Sequence, residues 1–111
     1  MEVSTKQLRR CDLVVAAGRI DAATVKGLAK AMADITEANR YKIVLNMKNV
    51  AYMSSAGLSV LIDTQNTCKQ LKRGELLLAE VPPRIKEVLD LAGLTSLFNM
   101  FETEGEAVGH F

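Results

Sequence analysis

Apolar positions along the chain follow two rhythms. Residues 12–17 (DLVVAA) and 41–47 (YKIVLNM) are short apolar runs bounded by polar residues. Their length and β-branched content suit buried strands, with Asn46 a polar exception. Residues 75–80 (ELLLAE) form a third such run, and residues 3–8 a weaker one. Between these runs the period changes. Val25, Leu28, Ala29, Met32 and Ile35 recur at helical spacing, and Asp21 stands ahead of them as an N-cap. Gly27 weakens this helix a little, which points to a close packing contact. A second helical face carries Leu58, Leu61, Ile62, Cys68 and Leu71, with Gln65 on the same side, and Lys72-Arg73-Gly74 ends it. Pro82-Pro83 open a third helix, whose face is Ile85, Val88, Leu89 and Ala92 and whose C′ position suits Gly93. The segment LTSLF predicts one more turn and residues 99–103 a last short strand. Residues 104–111 are expected to fray.

The order is therefore β-β-α-β-α-β-α with a further strand near the end. Strands joined through helices run parallel by right-handed crossovers, and the first two form an antiparallel edge. The pattern predicts a small α/β sandwich, with helices packed on a mixed sheet.

Composition narrows the function more than the fold. The 111 residues fit one domain, residues 1–111. Aromatics are only 5% and Trp is absent, so the core must be built from Leu, Val, Ile, Ala and Met. Fourteen basic and thirteen acidic residues leave a charge of +1, which gives no global field for nucleic acid or an anionic membrane. The local cations Lys69, Lys72 and Arg73 read as a helix end with charge near the C-terminal dipole. No apolar run approaches the ~20 residues of a membrane span. Residues 1–10 lack the apolar core of a signal peptide. A cytoplasmic location is expected, without membrane insertion. Cys11 and Cys68 have no metal-like spacing and are expected to be free thiols.

The inventory for catalysis is thin. The single histidine, His110, is next to the C-terminus, which removes most Ser-His and Cys-His chemistry. No His, Cys or carboxylate cluster has metal-ligand spacing, and no Walker A or GxGxxG pattern occurs. Glu102 and Glu104 read as solvated charge. No enzyme, cofactor or metal site is expected. One stretch remains, VAYMSSAGLSVLI, residues 50–62. It sets two serines and little bulk between a strand-like run and a helix-like run. A serine there caps the helix. The same position suits a phosphate, because a helix start offers unpaired N–H groups and the positive dipole end. Ala56 and Gly57 leave the hydroxyls uncrowded.

The chain resembles the STAS domains (sulfate transporter and anti-sigma-factor antagonist), and among them the single-domain anti-sigma-factor antagonists. The resemblance covers nearly the whole chain and rests on GRIDAATV, on KIVLNMKNVAYMSSAGLSVLI and on GELLLAEVPPRIKEVLDLAGLTSLF. It implies a four- or five-stranded sheet with helices mainly on one face. It also implies a role: the unphosphorylated protein binds an anti-sigma factor that is also a serine kinase, releasing a sigma factor. Phosphorylation of a serine at the helix start ends that binding, and a phosphatase resets it. Aligning Gly57-Leu58 with the family's Gly-Leu makes Ser55 the phosphoacceptor and Ser54 the runner-up. Ser54 takes the place of the family's usual Asp and is the more natural cap. The resemblance places Asp21, Met53, Ser54, Ser55, Ala56, Gly57 and Ser59 at the partner surface of a monomer. The alternative is a STAS subunit of a transport or signalling assembly, with no phosphorylation switch.

Overall fold

The computed structural model describes residues 1–70 and 74–111. The expected end of the second helix and the cations Lys72 and Arg73 lie outside the described residues. The chain opens with an antiparallel hairpin of β1 (Glu2–Gln7) and β2 (Asp12–Ile20). Then follow α1 (Val25–Glu37), β3 (Lys42–Met53), α2 (Ser55–Gln70), β4 (Glu75–Ala79) and α3 (Pro83–Leu91). A 3-10 turn at Thr95–Leu97 leads into β5 (Asn99–Phe101) and α4 (Glu104–His110). The five strands form one sheet in the order β1-β2-β3-β4-β5. From β2 onward every pairing is parallel. Each parallel pair needs a crossover, and the helices supply it.

Side-chain alternation along the strands divides the interior into two layers. Ile43, Leu45, Leu76 and Leu78 face Leu28, Met32 and Ile35 of α1, Leu61 and Cys68 of α2, and Ile85 and Leu89 of α3. The opposite face carries Val44, Leu77 and Ala79, and it packs on Cys11 and on Ala107 of α4. The interior strand β4, paired on one side with β3 and on the other with β5, is apolar on both faces because both are covered. The sheet is thus mixed and five-stranded, with three helices on one face and the short α4 on the other.

Four departures from the sequence expectation have physical causes. First, β2 continues past Ala17 to Ile20, because Gly18 at φ +93° accommodates a shift in register against β3. Second, β3 continues past Met47 to Met53. Its pairing with β4 ends at Asn46, so the later residues have only β2 beside them. Lys48 and Asn49 are exposed there, and their polarity hid the strand. Third, α1 starts at Val25 with Thr24 at its N-cap position, and Asp21 closes the turn before it. Fourth, residues 104–110 do not fray. Thr103 Oγ1 accepts from the Glu106 N–H at 3.1 Å and donates to Glu106 Oε1 at 3.0 Å. This T-x-x-E pair starts a helix that buries Ala107 fully. Glu104 Oε1 also accepts from Asn46 Nδ2 at 2.8 Å, which explains the polar residue inside β3.

Candidate functional site

The carboxyl ends of β2 and β3 lie side by side, with Ile20 paired to Met53. The Ser54 N–H then donates to Ile20 O at 2.9 Å, and Ser54 O accepts the first bond of α2, from Leu58 N–H, at 3.1 Å. These bonds fix the strand-to-helix junction on both sides. They also bring the turn that begins at Asp21 next to the start of α2. Asp21 Oδ1 accepts from the N–H groups of Ala23 at 3.0 Å and Thr24 at 3.1 Å, and from the Thr24 hydroxyl at 3.2 Å. Partial desolvation pushes the Asp21 carboxyl upward. The Ala23 N–H, the two Thr24 donors and the Arg19 charge outweigh it and hold Asp21 below the ordinary carboxylate value. Asp21 is thus a fixed negative charge beside the junction.

The two serines differ. Ser55 is exposed and is the first residue of α2. Ser54 is half-buried, and its Oγ is buried with no hydrogen-bond partner among the described residues. Ser54 occupies the cap position by its backbone only, so the expectation that its hydroxyl caps the helix does not hold. Ala56 is half-buried and Ser59 is exposed, one turn along from Ser55 on the same side of α2. Met53 and Gly57 are buried, Met53 at 3% exposure, so both face the interior and not the surface on which the resemblance places them. Alternation turns Met53 inward at the end of β3, and Gly57 lies directly on it. Their part is to seat the helix start that carries Ser55.

Residues 2–107 match the STAS domain family. The chain belongs to the STAS family. This STAS protein is 26% identical over 110 residues to the anti-sigma-B factor antagonist of Listeria monocytogenes, spanning 99% of this chain and 95% of the relative. Among solved structures it is similar to the anti-sigma factor antagonist SpoIIAA in its unphosphorylated form, with a TM-score of 0.82 and 19% identity. That match covers 98% of this chain and 95% of the other. The phosphorylated form of the Bacillus cell-fate determinant SpoIIAA gives a TM-score of 0.77 and 18% identity, covering 98% of each chain.

Two further side chains, outside the expected set of site residues, stand beside the junction. Arg19 and Tyr52 are register partners at the ends of β2 and β3. The Arg19 guanidinium carbon stands 4.3 Å over the Tyr52 ring, and Arg19 Nε is 3.7 Å from Asp21 Oδ2. Tyr52 is 41% exposed, one of only two large apolar side chains so open among the described residues. Reading AYM as strand rather than loop would have paired them. Among the described residues no group of three His, Cys, Asp or Glu could hold a metal, and no helix is long and apolar enough to cross a membrane.

Proposed function

We propose that this STAS protein is a phosphorylation-gated binding module of the anti-sigma-factor-antagonist type, with Ser55 as the gate. Its unmodified surface, from Asp21 and Ser54 across Ser55, Ala56 and Ser59, docks on an anti-sigma factor that also acts as a serine kinase. Docking frees a sigma factor. The kinase transfers a phosphoryl group from ATP to Ser55 Oγ, with loss of the hydroxyl proton, and a phosphatase hydrolyses the ester. The observation that carries this reading is the exposed Ser55 hydroxyl at the first turn of α2, beside a Ser54 hydroxyl that is shut away. The N–H groups of Ser55, Ala56 and Gly57 precede the first intrahelical bond, so the helix start tolerates a phosphate without unfolding. About −1.5 to −2 charges then stand beside the Asp21 carboxylate, and a partner must desolvate both. Binding is lost while the fold persists.

A second reading is favoured by one observation: Ser54 stands where the family carries Asp, so no carboxylate precedes the acceptor hydroxyl. On that reading the chain is a STAS subunit of a transport or signalling assembly, and its serines stay unmodified. Intact mass of the protein purified from its native cells, with peptide mapping, separates the two. One phosphate mapped to Ser55 is the expected result, and an unmodified chain under every growth condition favours the second reading. For the gate itself, Ser55→Asp should weaken binding to the anti-sigma factor at least ~100-fold, a coupling within the ordinary range for such switches. Circular dichroism of the variant should match wild type. Wild-type affinity in Ser55→Asp would end the proposal.

A further inference from the structure

At the other end of the sheet from Ser55, a cavity of about 420 Å³ opens between the β1–β2 turn and the segment entering β3. Nine residues of β2, at ~3.3 Å per residue, put it roughly 25 Å from the serine junction. Its lining is strongly positive. Arg9 and Arg10 enter from the turn, and Arg40 and Lys42 from the segment before β3. Asp12 is the carboxylate among them. Four cations against one carboxylate leave three positive charges at one opening, in a chain whose whole net charge is +1.

The geometry is held from below. Asp12 is 4% exposed. Arg40 Nε donates to its Oδ1 at 3.2 Å and its Oδ2 at 3.0 Å. That contact uses one of the five guanidinium donors. The Nη groups make no hydrogen bond among the described residues. Asp12 therefore anchors Arg40 and leaves its outer edge for something else. The Leu8 N–H donates to Cys11 O at 2.8 Å, closing the turn that carries Arg9 and Arg10. The Tyr41 hydroxyl donates to Asn39 Oδ1 at 3.3 Å, which steadies the ring. Leu8, Cys11 and Tyr41 give the cavity an apolar side.

The volume lies in the range of small-molecule sites, ~300–1,000 Å³, and the mixture of an apolar wall with a few converging polar groups is the usual one. Guanidinium forks from two separate segments match the oxygens of a phosphoryl group. A dianion balances three positive charges better than a single carboxylate does. We propose that this cavity binds a small organic phosphate. The phosphoryl group lies among Arg9, Arg10 and Arg40, and the apolar body lies against Leu8 and Tyr41. The inference stands apart from the Ser55 gate and does not need it.

The test is a titration of isotope-labelled protein with phenyl phosphate, followed by backbone amide shifts, with inorganic phosphate and phenol as comparison probes. Saturable shifts confined to residues 7–12 and 39–42, with none at residues 54–59, are expected. Phenyl phosphate should bind about tenfold more tightly than inorganic phosphate, because only it covers the apolar wall. The double variant Arg9→Ser, Arg10→Ser alters two exposed turn residues. It should keep the wild-type melting temperature and lose about tenfold in affinity. Shifts that do not saturate, equal affinity in the double variant, or equal affinity for phenyl and inorganic phosphate would each overturn the proposal.

Discussion

A methyl group at Gly57 would stand 2.8 Å from Met53 Cγ and 2.9 Å from Ile20 Cγ2. Neither atom is the free end of a flexible chain, since Met53 and Ile20 are both buried. Gly57 is therefore what lets the start of α2 lie directly on the ends of β2 and β3. Gly57→Ala would gain ~1 kcal/mol of helix propensity and lose ~1–3 kcal/mol to overpacking. The net expectation is a loss near 1 kcal/mol, read as a lower urea midpoint with an unchanged slope. The same shift displaces Ser55, so the variant should also bind its partner more weakly than its stability alone would suggest. An unchanged midpoint would show that the contact relaxes freely. At this scale the sequence was partly legible. The small residues marked the junction, and the hydroxyls stood out from it. Which residue faces outward was not legible, because neighbours in a strand or helix point in different directions. Met53 and Gly57 are next to Ser54 and Ser55 in the chain and belong to the interior.

Gln65 links three elements. Pairing of β4 with β5 begins at Leu77, so Leu76 lacks a β5 neighbour. The Gln65 carboxamide takes that place. Leu76 N–H donates to Gln65 Oε1 at 2.7 Å, and Gln65 Nε2 donates to Leu76 O at 3.1 Å and Leu97 O at 3.0 Å. Gln65→Leu keeps most of the volume and strands these backbone groups in a fully buried position. A loss of ~2–4 kcal/mol is expected in chemical denaturation. A loss under ~0.5 kcal/mol, the scale of an ordinary surface change, would mean that the backbone finds other partners. The helical period placed Gln65 on the buried side of α2, and nothing in the sequence identified its bonds, since they join segments far apart in the chain. The short α4 is the opposite case. The T-x-x-E spacing at Thr103 and Glu106 was a readable start signal, hidden by its place in an acidic, glycine-containing tail. The strand ends were less legible, because a strand that outruns its neighbour takes polar residues and looks like a loop.

The molecule has two apolar layers with one thiol in each. Cys68 lies in the larger layer and Cys11 in the smaller. Burial pushes the Cys68 thiol up to about 11. Burial first, and the Asp12 charge second, raise Cys11. At pH 8 both are largely protonated, Cys68 is enclosed and Cys11 keeps 5% exposure at the cavity wall, so a disulfide reagent should label both far more slowly in the native state than in denaturant. Ending the chain after Glu102 removes Ala107, Val108 and Phe111 from the smaller layer and leaves the larger intact. Cys11 should then label well before Cys68, and equal rates would show that the layers open as one unit. The alternation of strand and helix periods predicted the mixed sheet and its parallel crossovers, but the second layer was missed with α4. The strand order of the sheet is also the order of the strands in the chain. No strand has to be inserted between two that have already paired. As the polypeptide is synthesised, each new strand can join the open edge left by the one before, with β3 and then β4 exposed in turn until the next arrives. Because α4 follows all five strands in the chain, the growing STAS chain carries an uncovered apolar face until that helix has emerged and docked.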